Sequence, residues 1–128
     1  MELFGLGSVE GLEVADFRVN TPEVKIGDKL RSVKMKEVAM IMSESKITFV
    51  CTDEGRAYPI DQSLEGLGGE LDPVQFHRVN RSQIVNIDFI SDVIAFSNSR
   101  LKVVVEGSES KEIIVSRKRV KGFKDWLG

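Results

Sequence analysis

Short blocks of hydrophobic residues make up the chain from residue 38 to residue 60. The blocks cover residues 38–42, 46–52 and 56–60. Runs of this length, rich in β-branched and aromatic side chains, are typical of β-strands. Residues 43–45 and 53–55 have the composition of hairpin turns, because Gly55 accepts positive φ. The pattern predicts three antiparallel strands, and Pro59 places the third strand at a sheet edge, since proline cannot donate to a neighbouring strand.

A short helix is predicted after these strands. Leu64, Leu67 and Leu71 fall at positions i, i+3 and i+7, which puts them on one helix face. Asp61 is the predicted N-cap of this helix, and Asp72-Pro73 is expected to end it.

Residues 76–86 have neither helical nor strand regularity. Four apolar residues stand among polar ones, namely Phe76, Val79, Ile84 and Val85. We interpret the segment as a specific loop or turn that these four residues anchor to the core.

The C-terminal third returns to strands, predicted over residues 93–96, 101–105 and 111–115. Residues 117–127 predict a closing helix with Val120, Phe123 and Leu127 on one face and Trp126 beside them. The connections are too short for parallel crossovers. The predicted fold class is therefore mostly β, with antiparallel β-sheets, one short central helix and a short C-terminal helix.

The N-terminal segment is expected to differ from the rest of the chain. Residues 12–19 alternate in part and predict a strand, which Thr21-Pro22 breaks. We interpret residues 1–27 as an N-terminal extension or linker and residues 28–128 as the domain.

Composition indicates a single globular domain of the cytoplasm. The chain has 128 residues, of which 41% are hydrophobic and 30% charged. Cys51 is the one cysteine, so no internal disulfide can form and a reducing compartment is expected. The sequence shows neither a signal peptide nor an apolar stretch long enough to cross a bilayer. We therefore expect no contact with a membrane.

Charge is distributed unevenly along the chain. The formal net charge is −2, yet residues 71–128 carry 10 Lys and Arg against 7 Asp and Glu, whereas residues 1–70 carry 8 against 13. A phosphate-binding surface needs local rather than total positive charge. The densest basic cluster consists of Arg117, Lys118, Arg119, Lys121 and Lys124. Charge alone favours the interpretation that this cluster is the solvated face of a terminal helix.

Motifs for enzymatic chemistry are missing from the sequence. His77 is the only histidine, which excludes sites built on histidine pairs, and Cys51 is expected in the core. The sequence contains no glycine-rich phosphate loop of the strand-to-helix type and no Gly-x-Ser-x-Gly elbow. We expect no enzyme, no metal and no cofactor.

Two motifs carry a family resemblance. The first consists of Phe76, Arg78, Arg81, Ser82, Val85 and Asn86, and the second is Val115-Ser116-Arg117-Lys118-Arg119. Together, and in a β-rich context, they resemble the LytTR family of bacterial DNA-binding domains, which are response-regulator output domains of two-component systems. The resemblance covers residues 28–128. Asn80 departs from it, because the family usually has a histidine there.

The resemblance implies that loops of an antiparallel β-sandwich enter the major groove of duplex DNA. The corresponding segments here are the neighbourhood of Lys46, the triplet Asn80-Arg81-Ser82 and the triplet Arg117-Lys118-Arg119. Arginine pairs bidentately with guanine, so we expect Arg81 and either Lys118 or Arg119 to approach bases. Lys46, Arg78, Ser82 and Arg117 are expected to hold phosphates or to support the loops. Asn86 is expected to cap the turn that follows it.

The resemblance further implies a sequence-specific transcription regulator that binds direct repeats as two copies. It also implies a receiver domain outside this chain, or else a stand-alone regulator. The alternative is a β-rich protein-interaction or sensory module that has lost DNA contact, which the acidic net charge and Asn80 favour. Salt dependence distinguishes the two, because real phosphate contacts make affinity fall steeply with salt.

Overall fold

The computed structural model describes residues 23–26 and 29–128, with side chains from Val33 onward. The predicted strand over residues 12–19 lies outside the described residues. Within them, ten strands form three antiparallel sheets, and the helices are short. This confirms the predicted fold class.

A hairpin and a five-stranded sheet form the first part of the fold. The hairpin pairs β1 (Glu23–Ile26), from the segment interpreted as an extension, with β2 (Lys29–Ser32). A 3-10 turn over Met35–Glu37 follows. The strands of the sheet are β3 (Val38–Glu44), β4 (Ile47–Thr52), β5 (Ala57–Ile60), β6 (Phe76–Asn80) and β7 (Gln83–Asn86). Their spatial order is β5-β4-β3-β7-β6, and α1 (Leu64–Gly68) connects β5 to β6.

A three-stranded sheet and a helix complete the described chain. The 3-10 turn Ile87–Phe89 leads into β8 (Ile90–Phe96), β9 (Arg100–Val105) and β10 (Ile113–Val115), in the order β10-β9-β8. The 3-10 turn Arg117–Arg119 then leads into α2 (Val120–Leu127).

Both faces of the five-stranded sheet are covered. One face packs against α1, with Val38 and Ile41 of β3 in this core. The other face packs against the three-stranded sheet and α2, with Ala39, Met40 and Met42 of β3 in that core. A central strand that is buried on both faces needs no polar side, which is why residues 38–42 are apolar throughout.

Residues 76–86 form the β6–β7 hairpin, so the prediction of a loop was wrong. The strand lacks the usual alternation of apolar and polar residues, because both faces of this sheet are covered and the polar residues His77 and Arg78 are half-buried on them. A bulge between Arg78 and Asn80 interrupts the register as well. All four predicted anchors, Phe76, Val79, Ile84 and Val85, are buried.

The predicted helix ends need correction. Ser63, not Asp61, caps α1, because its Oγ accepts a hydrogen bond from the Gly66 N–H at 3.0 Å. Leu71 lies beyond the end of α1 but still enters the same core. On α2, Leu127 was predicted on the packed face but is 38% exposed. Trp126, which was predicted beside that face, packs instead and stacks on His77.

Other predictions for single residues are confirmed. Pro59 lies on β5, which is an edge strand. Cys51 is buried, and burial raises the pKa of its thiol to about 11. Asn86 accepts a hydrogen bond from the Asp88 N–H at 2.9 Å and so caps the turn. Its amide also donates to the Val38 oxygen at 2.8 Å.

The two sheets meet closely at Gly107, in the turn after β9. A Cβ atom at this position would lie 2.5 Å from the main-chain oxygen of Asp53 and 2.6 Å from that of Thr52. Gly107 also has φ of +83°, a backbone conformation that residues other than glycine rarely adopt. Only glycine therefore lets this turn approach the β4–β5 turn so closely.

Candidate nucleic-acid interface

Arg81 and Ser82 form the two-residue turn between β6 and β7. The side-chain oxygen of Asn80 accepts hydrogen bonds from the Ser82 N–H at 2.8 Å and from the Ser82 hydroxyl at 3.1 Å. Asparagine commonly bonds to the backbone two residues on and fixes a turn in this way. The turn is thereby held in one shape, with the Arg81 side chain exposed.

Asn80 also joins this turn to the other sheet. Its amide nitrogen donates to the main-chain oxygen of Ile114 on β10 at 2.8 Å and to the side-chain oxygen of Gln83 at 2.7 Å. The side-chain amide of Gln83 in turn donates to the main-chain oxygen of Glu112 at 3.3 Å. Both polar atoms of the Asn80 side chain are therefore hydrogen-bonded within the protein, and the side chain supports the structure of the turn.

Arg78 lies behind the turn and is half-buried. Its Nη2 donates to Glu65 Oε2 at 3.0 Å and to the main-chain oxygen of Arg81, and its Nε donates to the Asn80 oxygen at 3.1 Å. The guanidinium thus links α1 to the main-chain oxygen before the turn, that of Asn80, and to the one within it, that of Arg81.

A second turn lies beside the first. Ser45 and Lys46 connect β3 to β4 with φ of 53° and 67°, the left-handed pair of a type I′ hairpin turn. The Ser43 N–H donates to the Ser82 oxygen at 2.8 Å, so the ends of both hairpins meet at one end of the five-stranded sheet. The exposed side chains of Lys46 and Arg81 share this end.

The third basic segment is the 3-10 turn Arg117–Arg119. The Ser116 N–H donates to the Val79 oxygen at 3.0 Å, which places the segment alongside β6 rather than at the end of the sheet with the other two turns. Arg117 and Lys118 are exposed, whereas Arg119 is half-buried. All eight predicted site residues therefore lie on or directly behind three connected segments.

An aromatic cluster fixes α2 beside the third segment. The rings of His77 and Trp126 stack with centroids 4.9 Å apart, and Phe123 contacts both rings. The Trp126 indole N–H lies 3.0 Å from the oxygens of Pro73 and Val74. Burial, and then the positive charge of Arg119, lower the pKa of His77. This places Arg119 within electrostatic reach of the cluster.

Sequence analysis missed three contributors to this surface, namely Glu65, Gln83 and Trp126. The polar pattern Asn-x-Ser at residues 80–82 is a recognisable signal for the turn, since it is typical of asparagine-capped turns. No comparable signal exists for Glu65 or Trp126, because their partners are distant in sequence.

Chemistry of other kinds finds little support in the described part of the chain. No group of three His, Cys, Asp or Glu residues there could hold a metal ion. Neither α1 nor α2 has the length and apolar character of a membrane-crossing helix.

The chain is similar to known transcriptional regulators in sequence and to a solved DNA-binding domain in fold. Residues 28–128 match a family model described as the LytTr DNA-binding domain. The chain is 28% identical over 114 residues to the transcriptional regulatory protein LytR of Staphylococcus aureus, which covers 89% of this chain and 45% of that protein. It is 30% identical over 120 residues to the sensory transduction protein LytT of Oceanobacillus iheyensis, covering 86% of this chain and 47% of that protein.

A third relative is the heme-containing CO-sensing transcriptional regulator RcoM 2 of Paraburkholderia xenovorans, at 27% identity over 96 residues, covering 75% of this chain and 35% of that protein. The chain thus spans less than half the length of these relatives. A solved LytTr DNA-binding domain from Bacillus cereus superposes with a TM-score of 0.75 at 23% identity, covering 85% of this chain and 98% of that one. This likeness shows the fold.

Proposed function

Because this chain belongs to the LytTr DNA-binding domain family, we propose that it binds a specific duplex DNA sequence through loops that enter the major groove. The function is that of a transcription regulator in the bacterial cytoplasm. Residues 28–128 are the DNA-binding unit, and residues 1–27 are an extension or linker whose β1 pairs with that unit. Two copies bind direct repeats, and the upstream signal comes from a receiver domain outside this chain.

The hydrogen bonds that connect three basic segments carry this proposal. Hydrogen bonds connect the Lys46 turn to the Arg81 turn, and the Arg81 turn to the strand that leads into Arg117–Arg119. Cations carried on rigidly held turns can enter a groove with little further loss of backbone conformational freedom, and this preorganisation favours affinity. A charge cluster that merely solvates a terminal helix would require no such connections.

Exposure and bonding assign roles within the surface. Arg81 is exposed at the tip of a fixed turn, and we assign it to base readout. Lys118 is the more exposed of the two further candidates, since Arg119 is half-buried beside His77. Lys46, Ser82 and Arg117 are assigned to phosphates.

Arg78 and Asn80 are assigned to support of the Arg81 turn. Their polar atoms already bond to the turn and to neighbouring elements. A supporting residue affects DNA binding through the shape of the turn and not through its charge.

The experiment selects duplexes from a random pool with the wild-type chain and measures affinity by fluorescence anisotropy at several salt concentrations. The wild-type chain should prefer the selected duplex over a scrambled one. The Arg81→Ala variant should lose about 1–3 kcal/mol on the selected duplex and relax its preference at one base pair. The Lys46→Ala variant should weaken both duplexes alike and flatten the salt slope by about one.

The Lys36→Gln variant is the matched control, because Lys36 is exposed in the 3-10 turn at the opposite end of β3. It should bind as the wild-type chain does. A wild-type chain with no preference for any duplex and no salt dependence would contradict the proposal and favour a protein-interaction module.

A further inference from the structure

A shallow basic groove lies between α2 and the β8–β9 turn. Its volume is about 410 Å³, and it is lined by Ser99, Arg117, Val120, Lys121, Lys124 and Asp125. We call it the α2 groove. Three of its six lining residues are cations and one is a carboxylate, so the groove is locally positive although the chain is acidic overall.

Two of the cations share one side of the helix, and the third precedes it. Lys121 and Lys124 are three residues apart on α2, which aligns their side chains along one face, and Arg117 lies in the 3-10 turn that leads into α2. The seven residues from Arg117 to Lys124 span roughly 10–12 Å, since a 3-10 turn rises slightly more per residue than an α-helix. Phe123, by contrast, is fully buried against β6. The basic side chains therefore form a row along α2, apart from the face that packs.

The β8–β9 turn forms the opposite wall. Asn98 and Ser99 have φ of 59° and 61°, so this hairpin turns tightly and ends at Ser99. The Ser99 hydroxyl is a hydrogen-bond donor that suits a phosphate oxygen. Val120, which is half-buried, contributes the apolar part of the lining.

The positive charge of the α2 groove is largely uncompensated. Asp125 Oδ2 lies 3.3 Å from Lys121 Nζ, and both side chains are well exposed. Within the part of the chain that the structure describes, Arg117 and Lys124 have neither an ion pair nor a side-chain hydrogen bond. Like charges at this helical spacing repel one another. A phosphate in the groove would remove that repulsion and add charge-assisted hydrogen bonds.

We infer that the α2 groove binds backbone phosphates of DNA beyond the base pairs that the three loops read. This inference rests on the proposed function. Arg117 belongs both to the third loop and to the groove, so a DNA strand that passes Arg117 can continue along α2. A strand carries one phosphate per about 3.4 Å of helix axis, so the row of cations faces about three phosphates. The contacts made there carry no sequence preference.

The test replaces single backbone phosphates with neutral methylphosphonates in the duplex that the wild-type chain selects. Anisotropy measures the affinity of the wild-type chain and of Lys124→Gln for each modified duplex. Neutralising one or two phosphates on one flank should weaken wild-type binding about 3- to 10-fold, and the same positions should have no further effect on Lys124→Gln. The variant should also bind the unmodified duplex about 3- to 10-fold more weakly, with a salt slope lower by about one.

Controls separate this inference from the proposed function. Lys36→Gln should respond to every methylphosphonate as the wild-type chain does, and a thermal melt should show that Lys124→Gln is folded. A wild-type chain that selects no duplex overturns both proposals. A wild-type chain that selects a duplex, with Lys124→Gln equal to it in affinity and salt slope, overturns the α2 groove alone. The α2 groove is also overturned if every flanking methylphosphonate lowers the affinity of the wild-type chain and of Lys124→Gln by the same factor.

Discussion

The side-chain amide of Asn80 donates a hydrogen bond to the main-chain oxygen of Ile114, and the two atoms are 2.8 Å apart. This bond connects the Arg81 turn of one sheet to the strand of the other sheet that continues into Arg117–Arg119. The residue at the position where the family resemblance expects histidine thus helps to hold two of the three basic segments together.

The Asn80→Ala variant is expected to bind DNA at least about tenfold more weakly while it remains folded. Truncation leaves the half-buried Ser82 N–H and Ile114 oxygen without their partners, so the Arg81 turn loses the bonds that fix its shape and its place beside β10. The core residues do not change, so unfolding should stay cooperative. Urea denaturation and anisotropy on the selected duplex measure the two effects. Unchanged affinity in a correctly folded variant would show that Asn80 does not shape the interface.

Substitution of Arg78 should distinguish support of the turn from contact with a phosphate. Arg78→Lys keeps the charge but cannot reproduce the forked hydrogen bonds to Glu65, Asn80 and Arg81. We expect this variant to lose affinity for DNA with no change in salt slope. Full affinity in Arg78→Lys, together with a reduced salt slope in Arg78→Gln, would instead identify a phosphate contact.

Glu65→Gln is the matched control for Arg78. The Glu65 side chain is 72% exposed, and ion pairs that are this exposed contribute little to stability because water and salt screen them. The variant should keep both its stability and its DNA affinity close to wild type, because the bonds from Arg78 to the turn remain.

Stability should fall as pH drops below about 6.5, the ordinary pKa of histidine. The folded state lowers the pKa of His77 through burial and through Arg119, so in this range the unfolded chain binds more protons. The stability contribution is complete above the unfolded pKa and is lost as pH falls through the folded pKa. Melting temperatures at pH 7.5 and pH 5.5 measure it.

The His77→Phe variant isolates this effect, since phenylalanine keeps a ring against Trp126 but does not titrate. Its melting temperature should change less than that of the wild-type chain between the two pH values. Equal changes in the two proteins would assign the pH dependence to other groups.

Gly107→Ala and Gly122→Ala are expected to act in opposite directions. The alanine Cβ at position 107 would meet backbone atoms of Asp53 and Thr52 and would force positive φ on a side chain, a strain of about 1–3 kcal/mol or more. A Cβ at position 122, in α2, would meet no atom within 4 Å, and alanine should stabilise this helix by about 0.5–1 kcal/mol. Chemical denaturation of both variants measures the difference. A Gly107→Ala variant as stable as wild type would show that the two turns can separate freely.

The sequence predicted well the elements that follow local rules. Strands β3, β4 and β5 are visible as hydrophobic blocks between turn residues, and Pro59 marks the edge because a missing N–H acts locally. The β6–β7 hairpin escaped prediction because its polar residues, His77 and Arg78, have partners on α2 and α1 that no local pattern reveals.

In the candidate interface, too, the sequence predicts the local features and not those that depend on distant partners. The resemblance located Arg81 and Arg117–Arg119 by motif, and the turn at residues 80–82 has a local polar signature. The bond between Ser43 and Ser82 depends on the pairing of β3 with β7. The bond between Asn80 and Ile114 depends on the packing of β6 beside β10 of the other sheet. Long-range pairing of this kind has no marker in a single sequence.

The pairing of β3 with β7 also constrains how the chain folds. Met40 pairs with Val85, so the β3–β4–β5 strands and the β6–β7 hairpin join into one sheet only when two distant segments meet. Closing such a long loop is entropically costly and slows folding relative to local hairpins. The end of the sheet that carries Lys46 and Arg81 is assembled only at that step, so neither half of the chain alone can present it. Recovery of DNA binding during refolding should therefore trail the first appearance of β-structure.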